Sequence, residues 1–225
     1  MRVFQRKVRQ RQQNLLVMMN KLAIIGAGGH GKVVADAALA AGWAEIHFFD
    51  SAWPVKSNNG HWPVVGNTGH YIVNMDLYDG VVIAIGVCKT REIEFQTIKS
   101  AGGPFINIIH PKATLSPFAK IGIGVVIFAG AVINVDAVIG NNCIINTAAT
   151  IDHDCILNDS IHVAPGVHIS GNVTIGFGSW VGVGATIRQG VNIGEHAVIG
   201  AGAVVVKDIP NNITVVGNPA KILSL

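Results

Sequence analysis

The sequence predicts two folding units in series, an α/β unit built on a parallel sheet and then a parallel β-helix. Two observations carry most of this prediction. A short apolar run, Leu22 to Ile25, leads through a glycine-rich turn into alanines and valines at helical spacing, and a second apolar run follows. Farther along, from Leu115 to Val205, an aliphatic residue returns at every sixth position without a break. Length agrees: 225 residues hold two such units with a core in each, and the composition changes near residue 110.

The stretch "KLAIIGAGGHGKVVADAALAAGW" reads as strand, tight turn and helix. The run "EIHFFD", ending in Asp50, completes a βαβ unit and makes the sheet parallel. "GVVIAIG" predicts a further buried strand, "TREIEFQTIKSAG" a helix closed by Gly102, and "PFINIIH" the last strand before the repeats. Gly26, Gly28 and Gly31 satisfy G-x-G-x-x-G, and Asp50 lies about 20 residues on, where a Rossmann-like domain binds ribose. Glycines there let backbone N–H groups and a helix N-terminus approach a diphosphate. The same glycines also suit a close-packed strand-to-helix corner. His30 is the odd member, because a dinucleotide fold has no need of an imidazole in that turn.

The repeat has its own logic. All sixteen hexad positions, from Leu115 through Ile133, Ile151, Ile169 and Ile187 to Val205, are aliphatic. Two residues earlier the chain mostly carries a small residue, such as Ala131, Ala149, Cys155 or Ala185, and the next residue is often a turn former, such as Asn134, Asp152 or Gly182. A period of six fits neither an α-helix nor a hairpin sheet. It fits a parallel β-helix whose aliphatic residues point inward, with three faces per coil of 18 residues and about five coils in all.

Net charge is +3, but Arg2, Arg6, Lys7, Arg9 and Arg11 precede any acid, and the remainder of the chain sums to about −2. A polyanion-binding body is therefore not implied, and no nucleic-acid partner is expected. Residues 1–20 are expected to lie outside the fold as a disordered or helical tail, with Met18 and Met19 as candidate starts. Their apolar segment, "LLVMM", is too short for a signal peptide. No run approaches the ~18 apolar residues of a membrane span. Cys88, Cys143 and Cys155 are odd in number and form no CxxC pair, which fits a reducing cytoplasm.

Chemistry-bearing residues gather at "NTAATIDHDC", residues 146–155. Residues 18 apart stack at about one strand spacing, ~4.8 Å, so His153 lies under Gly171 and Asp154 between Asp136 and Asn172. A neutral His153 can accept a proton from a nucleophile, with Asp154 or Asp152 orienting the ring. The plain alternative is a solvated surface, although stacked Asp136 and Asp154 favour a nearby proton or cation. His162 and His168 also point outward from the prism. Together with His153 they lack HxH or HxxxH spacing, so no metal is expected.

"IIGAGGHGKVVAD", "IIHPKATLS", the hexads, "NTAATIDHDC", "HVAPGVHISGNVTIG" and "VVGNPAKIL" together resemble the NeuD/PglD-type sugar acyltransferases over residues 21–225. The resemblance implies a left-handed β-helix and division into a tail (1–20), a Rossmann-like nucleotide-sugar-binding domain (21–110) and an acetyltransferase domain (111–225). It implies a cytoplasmic homotrimer of bacterial glycan biosynthesis with sites between subunits. Its co-substrate would be acetyl-CoA, and its acceptor a nucleotide-linked amino sugar such as a UDP-4-amino-4,6-dideoxy sugar. Carried over position by position, His153 is the base and Asp154 its partner, an acid that is commonly Glu. Asn146 lies close to the base. Gly171 supports the oxyanion, and His162, Gly171, Gly182, Val183 and Ala201 line the acetyl-CoA site. Gly28, Gly29, His30, Gly31 and Asp50 hold the nucleotide. Ser51 stands where relatives often carry a second acid. The nearest rival activity is O-acetylation of sialic acid or a related sugar. An NAD-dependent enzyme on a β-helix stalk is disfavoured, because no second catalytic domain remains.

Overall fold

The structure, a computed structural model, describes residues 21–223. The basic tail and its candidate starts fall outside the described residues. β1 (Lys21–Ile25) is an interior strand of a sheet that also contains β2 (Glu45–Phe49), β3 (Asn58–Asn59), β4 (Trp62–Gly66) and β5 (Gly80–Ile83), in the order β3-β4-β2-β1-β5. All pairings are parallel except the β3–β4 hairpin. The unbroken apolar run of β1 follows from coverage of both faces. Leu22 and Ile24 pack on α1 (Gly29–Ala40) through Val34, Ala35 and Ala38, while Ala23 and Ile25 face Tyr71, Phe95 and Ile98. Tyr71 belongs to α2 (Thr68–Val73), and Phe95 and Ile98 to α3 (Cys88–Ser100).

The segment expected as a last strand before the repeats divides instead. Phe105 bridges to Val81 of the sheet, whereas β6 (Ile108–Ile109) pairs with β9 (Val126–Ile127) and is a rung of the β-helix. The cause is visible in the frame, since Ile109 sits one hexad before Leu115 and covers Ile127. The left-handed β-helix then climbs in two-residue strands. One face stacks β6, β9, β12 (Ile144–Ile145), β15 (His162–Val163), β18 (Trp180–Val181) and β21 (Val198–Ile199). The second stacks β7 (Thr114–Leu115), β10 (Val132–Ile133), β13 (Thr150–Ile151), β16 (His168–Ile169), β19 (Thr186–Ile187) and β22 (Val204–Val205), and the third stacks β8 (Lys120–Ile121), β11 (Val138–Ile139), β14 (Ile156–Leu157), β17 (Thr174–Ile175) and β20 (Asn192–Ile193). Register is 18 residues per coil, as in Ile133↔Ile151↔Ile169, and these three side chains are 1% exposed or less.

Corners repeat as strictly as strands. Every sixth residue from Gly124 to Gly202 has φ between 52° and 72°, including Asp136, Asp154 and Asn172. This left-handed residue comes three positions after the inward aliphatic, while the turn former directly after the aliphatic opens the turn, as where the Asn146 carbonyl accepts from the Ala149 N–H. Glycines in the directly following position answer to coil spacing: a Cβ on Gly182 would lie 2.7 Å from the Ile199 carbonyl oxygen. The first face is covered by the N-terminal unit, because Val126, Phe128 and Ile144 share one core with Leu22, Ile24 and α1. That packing decides which outward residues see solvent.

Candidate active site

The turn after β13 brings the acidic triplet together. Asp152 Oδ1 accepts from the His153 backbone N–H (2.8 Å) and from Asn134 Nδ2 one coil below (2.9 Å). Those bonds hold the Asp152 carboxyl below its ordinary pKa, the Asn134 bond most. Asp152 is thereby occupied in tying coils together. His153 Nδ1 instead lies 2.7 Å from Asp154 Oδ2, and that hydrogen bond, reinforced by the charges of both acids, raises the imidazole pKa. Nε2 remains open beside Gly171, where an added Cβ would stand 2.5 Å from it. The Asn172 N–H donates to the His153 carbonyl (2.9 Å), which fixes the two coils in this register.

His162 points outward from the first face but not into solvent. Its Nδ1 is 3.0 Å from the Gly86 carbonyl oxygen, and the His30 ring lies 5.9 Å away between centroids. Burial first, and the Arg91 charge, lower the His162 pKa to about 4 despite the opposing Gly86 bond. His30 is lowered to about 4 by burial, then by His162 and Arg91, and its Nε2 is buried without a hydrogen-bond partner. Asn146, expected near the base, stands instead beside His162, with Nδ2 3.4 Å from Nε2. The physical reason is the frame: Asn146 follows the first face and His153 follows the second, so they occupy different corners. Val183 and Ala201 are exposed on the same corner as Asn146, next to Gly182. His168 is on the second face, its Nδ1 2.9 Å from Thr150 Oγ1.

At the carboxyl ends of β1, β2 and β5, a cavity of about 290 Å³ is lined by Gly28, Gly29, His30 and Asp50, with Ser51 and Glu94 among its other walls. Ligands of open α/β sheets bind in this place, at the reversal of strand order. α1 starts there with no side-chain cap and no acid in its first turn, so its free N–H groups can meet an anion. Gly31 does not line the cavity; its α-carbon is packed so tightly that a Cβ would lie 2.4 Å from the Gly26 carbonyl oxygen. Asp50 braces the turn, accepting from the Ala27 and Ala52 N–H groups at 2.7 and 2.9 Å.

Sequence reasoning missed a second cavity of about 570 Å³, where Gly86, Cys88 and Lys89 face His162, Trp180 and His196. It also missed Arg91, which reads in sequence as an ordinary charged helix residue. Glu92 and Ser160 likewise meet only in space, their side chains hydrogen-bonded to each other across the two units. Among the described residues, no group of three or more His, Cys, Asp or Glu is arranged to hold a metal ion.

A β-helix corner with a His–Asp pair facing a glycine, joined to a glycine-turn α/β unit, defines a hexapeptide-repeat acyltransferase with a nucleotide-type N-terminal domain. Comparison agrees. The PglD N-terminal domain family matches residues 21–98, and the bacterial transferase hexapeptide family (six repeats) matches residues 172–207. The acetyltransferase domain of PglB from Neisseria gonorrhoeae FA1090, solved with acetyl coenzyme A, is 43% identical. That alignment covers 91% of this chain and 100% of the solved domain, with a TM-score of 0.86. PerB from Caulobacter crescentus, solved with CoA and GDP-perosamine, is 36% identical over 91% of this chain and 97% of its own, also at 0.86. WeeI from Acinetobacter baumannii AYE is 28% identical over 90% and 99%, at 0.81. The chain belongs to the NeuD/PglD-type sugar acyltransferases and is an acetyl-CoA-dependent enzyme of that family.

Proposed function

We propose that this enzyme N-acetylates the amino group of a nucleotide-linked amino-deoxy sugar, with a UDP-4-amino-4,6-dideoxy sugar as the leading acceptor, in bacterial glycan biosynthesis in the cytoplasm. The observation that carries this reading is the His153 imidazole, bonded to Asp154 through Nδ1 and open at Nε2 beside Gly171. The neutral amine attacks the thioester carbonyl, Nε2 takes the proton lost from nitrogen, and the Gly171 N–H supports the oxyanion. The C–S bond then breaks, and the CoA thiolate leaves and takes the proton from the His153 imidazolium, which restores the neutral base. No acyl-enzyme is required, and all three cysteines are buried.

A homotrimer accounts for the two separate corners. When the His153 corner of one subunit meets the Asn146–Gly182 corner of its neighbour, base and acetyl-CoA channel face the same gap. The glycine turn and Asp50 hold the nucleotide, in the cavity at the carboxyl ends of β1, β2 and β5; PerB, solved with GDP-perosamine, supports a nucleotide-linked acceptor. The test is acetyl-CoA consumption with UDP-, GDP- and dTDP-linked amino sugars and free sialic acid, with the product assigned by mass spectrometry. Turnover of a nucleotide-linked amine supports the reading. Turnover of sialic acid hydroxyls alone overturns it.

A further inference from the structure

Arg91 is 1% exposed, and among the described residues no carboxylate pairs with it. A buried charge without a counter-ion is costly unless its donors are all met. Here four backbone carbonyls and the Cys88 sulfur, 3.5 Å from Nη2, meet them. The guanidinium donates to Ile85 O (2.9 Å) and Gly86 O (3.0 Å) beyond β5, and to Asn142 O (2.9 Å) and Ser160 O (2.7 Å) on the β-helix. Arginine alone offers such a planar fork of donors.

One of those carbonyls has a second client. Gly86 O also lies 3.0 Å from His162 Nδ1, and a carbonyl can only accept, so the ring proton is on Nδ1. In the neutral ring Nε2 is then an acceptor. It faces Asn146 Nδ2, whose partner atom Oδ1 is held by the Thr147 N–H at 2.9 Å, consistent with that amide orientation. We propose that Arg91 is a positioning residue: by pinning the Gly86 carbonyl it locks His162 into the Nδ1–H tautomer. His162 thereby serves as a hydrogen-bond acceptor that orients Asn146 at the acyl-transfer site, not as a proton donor to the thioester. The placement of Asn146 at that site rests on the proposed function; the tautomer lock does not.

The charged surroundings agree. His30 stands across from His162, Lys89 and His196 line the adjoining cavity, and Glu92 is engaged with Ser160 on the other side of the guanidinium. Cationic His162 would sit near Arg91 with no carboxylate of its own. Burial and the guanidinium both disfavour that form.

The experiment is long-range ¹H–¹⁵N correlation of the histidine rings in the full-length protein, with His162→Gln assigning the signals. In the unaltered protein, His162 is expected as the Nδ1–H tautomer, unchanged between about pH 5 and 8. Arg91→Lys keeps a charge but loses the fork, so the His162 signals should shift toward mixed tautomers. The kcat should then fall roughly ten- to a hundredfold with little change in KM for acetyl-CoA. An Nε2–H tautomer, or titration in that pH range in the unaltered protein, overturns the inference without any Arg91 variant. So do unchanged His162 signals in a folded Arg91→Lys or Arg91→Gln protein. A locked tautomer in a protein that acetylates no sugar amine would count against the proposed function and leave the lock standing.

Discussion

His153 Nδ1 lies 2.7 Å from Oδ2 of Asp154, the very next residue, and Asp154 is also the left-handed corner residue of its coil, with φ of 58°. Neighbours in an extended strand point to opposite sides. The corner conformation is what allows adjacent side chains to meet, so the geometry of the dyad is a by-product of the turn that every coil makes.

Asp154→Asn should therefore separate charge from conformation. Asn tolerates the left-handed region, as Asn142 and Asn172 do in neighbouring coils. The carboxylate that raises the His153 pKa is lost, so that pKa falls toward its ordinary value. With His153 as the base of the proposed mechanism, catalysis requires the neutral ring, so activity rises with pH through this pKa. The acid limb of kcat/KM should move to lower pH in the variant, while the plateau drops because ring orientation weakens. An acid limb that stays in place would show that another group sets it.

Removing the base is a harsher change. His153→Ala should lower kcat by about a hundred- to ten-thousandfold, with acetyl-CoA affinity by calorimetry nearly intact. His153 is exposed in the chain, so thermal unfolding should be almost unaffected. Near-normal turnover by the variant would remove His153 from the mechanism.

Ile151, two residues earlier, should show the reverse pattern. It is fully buried between Ile133 and Ile169, and truncation to Ala leaves a cavity in the prism. A loss of about 2 to 5 kcal/mol is expected in denaturant unfolding, with kcat per folded molecule retained. A loss below about 1 kcal/mol would mean that coils tolerate voids better than a close-packed core does.

These two neighbours show which parts of the molecule could be read in advance. Ile151 was legible because inward packing imposes a period, and a period needs no partner to be recognised. The stacking of Gly171 on His153 followed from the same 18-residue arithmetic. Asn146 stands away from His153 within one chain, a separation the resemblance could not foretell because it assigns a role without assigning a corner or a subunit. Arg91 left no mark in sequence, because four of its five partners are backbone carbonyls, which every residue has. β3 and β4 escaped notice since "NNGHWPVVG" carries turn residues and a proline inside a short edge hairpin.

Gly171→Ala isolates the space beside the base. The φ of Gly171 lies outside the left-handed region, so the backbone accepts alanine without strain, and stability should change by no more than about 1 kcal/mol. The new methyl would meet His153 Nε2 at 2.5 Å and Cε1 at 2.6 Å, so the ring must swing away from Asp154 or from the incoming carbonyl. Either movement misplaces the proton acceptor, and kcat should fall about a hundredfold. Because the damage acts through the ring, adding Gly171→Ala to His153→Ala should cost much less than it does alone. Full additivity in that double-mutant cycle would mean that the methyl acts independently of the ring, by filling space that the acyl group needs. Undiminished kcat in the single variant would place the acyl group elsewhere on the prism.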